Sequence, residues 1–262
     1  INLTAAVDIG STDGQSGIRP GFIDINPTNL GSETITLTGA AGSNIYLNFE
    51  GDFESGFLAE PDGVSPNNAT TSINSLTIGS STGNITIDSN IFNVDDSGNP
   101  TGIYYDLYLL ANNNLILTNN IVTNQDILEL ATGGSLTLTM ANITFNNPGG
   151  TLILWADYDN SGTGALSGGS SGSPINLNNV SNLILIAAEG IEVYTSANPI
   201  NIAAYNSTSG EIYIENVGDI TVFDGTSYVG VPGIDVNGIN NEAGEDVTIT
   251  AHSDVYINAP IN

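Results

Sequence analysis

The sequence predicts an all-β chain wound as a right-handed parallel β-helix, a β-solenoid with irregular loop insertions. Three observations predict it. Short runs alternate Ile, Leu or Val with Thr, Asn, Glu or Tyr, which sends successive side chains to opposite faces of a strand. An apolar stripe recurs at roughly 20 residues, the mark of a stacked repeat. No window sustains a 3.6-residue period, so helix content should be near zero.

The alternating runs begin with Ile35-Thr36-Leu37-Thr38, Ile45-Tyr46-Leu47 and Ile85-Thr86-Ile87, and continue at Leu136-Thr137-Leu138-Thr139. The later half is cleaner, with Ile191-Glu192-Val193, Ile200-Asn201-Ile202, Ile212-Tyr213-Ile214 and Ile220-Thr221-Val222. Spacing favours coils: Leu109 to Leu128 is 19 residues, Leu117 to Leu138 is 21, Leu185 to Ile202 is 17 and Ile202 to Val222 is 20. Each such coil exposes an apolar face that only its neighbour can cover. A tandem β-sandwich is the alternative. It would show more hairpin turns, yet Asn-Gly occurs once, at Asn237-Gly238. Asparagine pairs and runs at Asn112–Asn114, Asn119–Asn120, Asn146–Asn147, Asn178–Asn179 and Asn240–Asn241 flank the strands. There they can adopt left-handed turns or ladder their amides between coils. Gly10–Gly21, Gly51–Thr71, Val94–Gly102, Tyr158–Pro174 and Phe223–Gly233 break the period and are expected to loop out. Residues 1–262 read as one continuous solenoid, one unit of a longer fibre.

Composition narrows the function. Arg19 is the single cation against 28 Asp and Glu, for a formal charge of −27. Such a chain is not expected to neutralise a phosphate backbone or an anionic membrane surface. No apolar run approaches the ~20 residues of a spanning helix. Cysteine is absent, so no disulfide holds the fold. No charged-then-apolar leader opens the chain at Ile1, as expected of a mature chain or a fragment. Ala259-Pro260-Ile261-Asn262 followed by Ile1-Asn2-Leu3-Thr4-Ala5-Ala6 reads like Asn198-Pro199-Ile200-Asn201-Ile202-Ala203-Ala204. Both ends are therefore expected to be open coils that continue into another copy.

Residues Ser181-Asn182-Leu183-Ile184-Leu185-Ile186-Ala187-Ala188-Glu189-Gly190-Ile191-Glu192-Val193, with Pro199-Ile200-Asn201-Ile202-Ala203-Ala204, carry a phrase of strand, Ala, Gly and strand. In that phrase, and in Leu152–Gly164, the chain resembles the filamentous haemagglutinin family of two-partner-secretion exoproteins. The resemblance covers about residues 110–262. It implies export to the cell surface, a fibrous shape, and structural or adhesive work.

The acidic rod should gather divalent counterions, calcium among them. Asp157-Tyr158-Asp159-Asn160-Ser161-Gly162 opens like a calcium loop, with oxygens from Asp157, Asp159 and Ser161 and a glycine for the turn. The closing acid of such a loop would stand at 168, which is Gly168. Asp95 and Asp96, and Asp52 with Glu54, are lesser candidates, whereas Glu242, Glu245 and Asp246 read as a solvated edge. Asp157 and Asp159 could share a strand face at a glycosidase-like separation. However, Arg19 and His252 are the only residues that could bind acidic sugars or take a proton. No nucleophile motif is present, so catalysis is not expected and a polysaccharide-degrading enzyme ranks third. The second reading is a carbohydrate-binding adhesin. Tyr104, Tyr105 and Tyr108, with Trp155, are its candidate stacking rings on a surface glycan. Six Asn-x-Ser/Thr sequons start at Asn2, Asn68, Asn84, Asn142, Asn179 and Asn206.

Overall fold

The computed structural model describes residues 113–262, apart from 140, 141, 230–233 and 235, and upstream the strands that lie between Asn2 and Ala111. Among the described residues there is no helix, so none crosses a membrane. Strands stack in parallel into two large curled sheets, as in a β-solenoid; a sandwich would pair antiparallel.

The first sheet runs in an unbroken path through ten strands, from Ile23–Ile25 by way of Asp106–Ala111, Ile127–Thr132, Gly150–Ala156, Val180–Ala187 and Ile200–Asn206 to Val255–Ile257. The second sheet has two wings. One stacks Leu115–Leu117, Leu136–Leu138 and Leu166–Gly168, and the other stacks Ile121–Thr123, Asn142–Phe145 and Ile175–Asn178. Ile191–Ser196 joins them: its Ile191–Val193 segment extends the first wing and Thr195–Ser196 extends the second. Each coil thus touches the next through short patches, with corners between.

Like stacks on like. Leu115, Leu136, Leu166, Ile191 and Ile212 form one inward row, and Leu130, Leu154 and Leu185 form another, all in the continuous apolar core. Full burial of each Leu or Ile contributes about 1.5–3 kcal/mol. Gly168 interrupts the row Leu117, Leu138, Val193 because a Cβ there would meet Ile175 Cδ1 at 2.5 Å.

Coil length is less regular than the sequence suggests. From Leu109 to its partner Leu130 is 21 residues, from Leu130 to Leu154 is 24, from Leu154 to Leu185 is 31, and from Ala204 to Ile239 is 35. Ten stacked strands at ~4.8 Å span about 43 Å, shorter than about 10–13 coils of even length would give. Three expected loops also contain strands. Leu166–Gly168 lies inside 158–174, Phe53–Glu54 lies inside 51–71 and pairs with Ile85–Thr86, and Pro100–Gly102 lies inside 94–102. Short strands bounded by Gly and Ser read as loops because three residues carry too little alternation. Asn93–Val94 and Pro100–Gly102 form an antiparallel pair outside the two large sheets.

A second apolar layer lies outside the first sheet. Ala131, Ile153, Trp155, Ile184, Ile186, Ala203 and Tyr205 alternate with the inward rows, and Val229 and Val236 of the 223–238 insertion pack on them. Gly150–Ala156 is therefore buried at every position. A strand covered on both faces reads as an unbroken apolar run, as Leu152-Ile153-Leu154-Trp155-Ala156 does.

Amides fasten the corners. Asn216 is fully buried. Its Oδ1 accepts from the Thr195 hydroxyl (3.0 Å) and the Ala197 N–H (3.0 Å), while its Nδ2 donates to the carbonyls of Ala197 (3.0 Å) and Asp219 (3.2 Å). Asn206 is equally buried. It accepts from the Gly190 N–H and donates to Ser209 O, Gly210 O and Asn241 Oδ1. An outer ladder links Asn120, Asn142 and Asn176, and Asn160 and Asn179 take left-handed backbone, so asparagine serves both expected purposes.

Candidate functional site

Three surface features carry polar chemistry. The acidic turn follows directly on the end of Gly150–Ala156. Asp157 is buried with φ 63°, and its Oδ1 accepts from the Ser161 hydroxyl and the Gly162 N–H, both at 3.0 Å. Asp159 Oδ1 accepts the Ser161 N–H at 3.2 Å, and the Ser161 and Thr163 hydroxyls lie 2.9 Å apart. Burial pushes the Asp157 carboxyl above the usual range, against the opposing pull of those hydrogen bonds. The candidate metal residues Asp157, Asp159 and Ser161 are brought together, but as a turn closed on its own hydrogen bonds. A twelve-residue calcium loop does not exist here, because Gly168 sits in a strand paired with Leu138 and Val193. Nor do Asp157 and Asp159 share a strand face, since both lie beyond the strand end. Among the described residues no three or more His, Asp or Glu gather as a metal cluster. Asp95, Asp96, Asp52, Tyr104, Tyr105 and Arg19 lie outside the described residues. Glu54 and Tyr108 occupy strand positions, Tyr108 between Thr77 and Glu129.

The second feature is a checkerboard of Glu and Tyr on the outer side of the second sheet. Glu192 stands opposite Tyr213, and Tyr194 opposite Glu215. The Tyr194 phenol donates to Glu192 (3.0 Å), and the Tyr213 phenol to Glu215 (2.9 Å). Each hydrogen-bonded carboxylate pushes its phenol above the ordinary tyrosine range. The two rings stand 5.2 Å apart over a groove of about 490 Å³. His252 is exposed in a turn, as expected, with Nε2 3.0 Å from Glu215 Oε1 on the neighbouring coil. Glu242 and Glu245 are exposed but bonded, Glu242 accepting from the Tyr205 phenol and Glu245 from the Gly210 N–H. The solvated edge expected there is thus also a coil-to-coil tie.

The third feature is a cavity of about 170 Å³ beside the acidic turn, lined by Trp155, Asp157, Tyr158, Asn160, Tyr205 and Ser207, among others. The Trp155 and Tyr158 rings meet edge to face at 4.8 Å. Trp155 is 5% exposed and Tyr158 50%. Sequence reasoning singled out Trp155 as a ring that could stack on sugar, but not its partners. Tyr158 and Tyr205 are joined to it only by the register Trp155–Ile186–Tyr205 and by the turn.

Asn206, one of the six sequons, is fully buried and hydrogen-bonded, so the folded chain offers no glycan acceptor there. A scan against protein-family models, a search of curated proteins and a search of solved structures each found no match to this chain.

Proposed function

We propose that this chain is a structural segment of an extracellular fibre, a right-handed β-helix of the filamentous-haemagglutinin type that extends by stacking further coils end to end. The observation that supports the reading is the stack itself: ten strands pair in parallel along one unbroken sheet, and like apolar residues lie in rows from coil to coil. Each coil buries its apolar face against its neighbour, so the architecture lengthens by adding coils.

The charge fits a fibre that works in ionic surroundings. A net −27 along about 43 Å is one charge per about 1.6 Å, close to the ~1.7 Å of duplex DNA. Calcium in this proposal is a condensed counterion that relieves repulsion between coils and between ends, and the acidic turn keeps its own hydrogen bonds.

Negative-stain electron microscopy of the purified chain, with calcium and then with excess chelator, tests the reading. Filaments with an axial repeat of ~48 Å, the ten layers plus the step to the next copy, are expected, with chelator shortening or dispersing them. Isolated short rods under both conditions would sink end-to-end assembly of this chain.

A further inference from the structure

We propose that the cavity beside Trp155 is a binding site for one ring of a neutral saccharide. The first observation is an orphaned donor. Trp155 is 95% buried (5% exposed), yet among the described residues its indole N–H donates to nothing, and its only ring contact is Tyr158. A buried Trp N–H ordinarily finds an acceptor, and none of the described residues supplies one. Trp155 lines the cavity.

The second observation is the character of the walls. At about 170 Å³ the cavity lies below the ~300–1,000 Å³ of pockets for drug-sized ligands, so it admits one small ring. Tyr158, half-exposed at the mouth, offers an aromatic surface for the C–H face of a sugar. Asp157, Asn160 and Ser207 supply oxygen and amide groups around it. The Asn160 amide makes no hydrogen bond among the described residues, so it can both donate and accept.

Ligand chemistry follows by elimination. The indole N–H needs an oxygen acceptor, which a hydroxyl or ring oxygen provides and a quaternary ammonium ion does not. Asp157 and the −27 field disfavour uronic, sialic and sulfated sugars. What remains is a neutral hexose or N-acetylhexosamine at the end of a glycan. This inference does not rest on the fibre reading, because the cavity lies on the outer side of the first sheet, on Gly150–Ala156, Val180–Ala187 and Ile200–Asn206.

The chain contains one tryptophan, so its fluorescence reports this cavity alone. The full chain is titrated with methyl glycosides of glucose, galactose, mannose, fucose and N-acetylglucosamine, with glucuronate and tetramethylammonium beside them. The expected result is a saturable change in Trp155 emission, with reduced acrylamide quenching, for at least one neutral glycoside and none for glucuronate. Tyr158→Ala, at an exposed position, should weaken that glycoside about tenfold with an unchanged circular dichroism spectrum. Trp155→Phe, followed by saturation-transfer NMR, should weaken it similarly. No response to any neutral glycoside would mean that water fills the cavity, and would overturn the proposal. So would a response to tetramethylammonium alone, or full affinity in Tyr158→Ala.

Discussion

Replacing Asn216 by alanine tests whether buried amides, rather than apolar rows alone, lock one coil to the next. The substitution removes both ends of the bridge. The Ala197 N–H and carbonyl lose their partner, while the Asp219 carbonyl keeps the Ile200 N–H at 3.1 Å and the Thr195 hydroxyl keeps Glu215 O at 3.3 Å. Each buried group left unsatisfied costs about 1–3 kcal/mol. Water can enter from the Asp219 side, which is only part-buried, so the expected loss is about 3 kcal/mol, in the lower half of the sum for the two Ala197 groups. For a chain of this size that lowers Tm by about 6–12 °C. Thermal unfolding by circular dichroism reads the total, and amide exchange at Ala197 reads the location, since coils can open locally. Asn216→Asp sharpens the test, because it keeps the acceptor and loses both donors. Its buried carboxyl should titrate above the ordinary ~3.9, so the destabilisation is full at neutral pH and is relieved as pH falls through the raised folded value. As a control, Asn201→Ala removes only the half-buried contact to Asn182 and should cost about 0.5 kcal/mol or less. A change in Tm under about 2 °C for Asn216→Ala, with unaltered protection at Ala197, would refute the idea that the corner amides hold the stack.

Other outcomes follow from single residues. Glu129, half-buried on the outer side of the first sheet beside Ile153, has its carboxyl pushed up by desolvation. An acid raised in the folded state penalises folding at high pH, so Glu129→Gln should raise Tm at pH 7 and lose that advantage as pH falls below the ordinary 4.5. Val236→Ala removes two methyl equivalents from the outer apolar layer. A loss of about 1.6 kcal/mol is expected, with a red shift of Trp155 emission, since both sit in that layer. Asp157→Asn keeps an oxygen for Ser161 and Gly162, so the chain should remain as stable as before. Calcium should raise the Tm of wild type and of Asp157→Asn equally. A calcium response lost in the variant would instead place a seated ion in the turn.

Much of the architecture was legible, and the misses have physical causes. Leu117 with Leu138 and Ile202 with Val222 are true partners one coil apart. Leu109 pairs with Leu130 rather than Leu128, and Ile202 with Leu183 rather than Leu185. Both errors are two residues, because period-two alternation keeps the inward face and cannot tell one inward position from the next. The outer apolar layer was written in the unbroken runs Leu152–Ala156 and Leu183–Ala188, whose lack of alternation signals cover on two sides. The corner amides left a fainter trace. Ala204-Tyr205-Asn206, Ile214-Glu215-Asn216 and Ile239-Asn240-Asn241 each place Asn two residues after an inward position at a strand end. Asparagine is so frequent here that only the register singles these out. At the candidate sites, the turn Asp157–Gly162 was visible as oxygen spacing, but its closure on Ser161 and Gly162 was not. The Trp155 cavity joins residues about 50 apart, which no local pattern reveals.

The uneven coil length has a consequence for how such a molecule can change. Register is held in patches of a few residues, while the corners between them absorb anything from 19 residues between Leu185 and Ala204 to 35 between Ala204 and Ile239. Doubling a corner loop adds only about 0.6 kcal/mol of closure entropy. New surface can therefore be spliced into a corner without moving the axis. The insertion after Ile220–Val222 shows how far that goes: the Tyr228 hydroxyl accepts from the Asn182 amide two layers away, and a graft at one corner gives a plain spindle an inside it did not have.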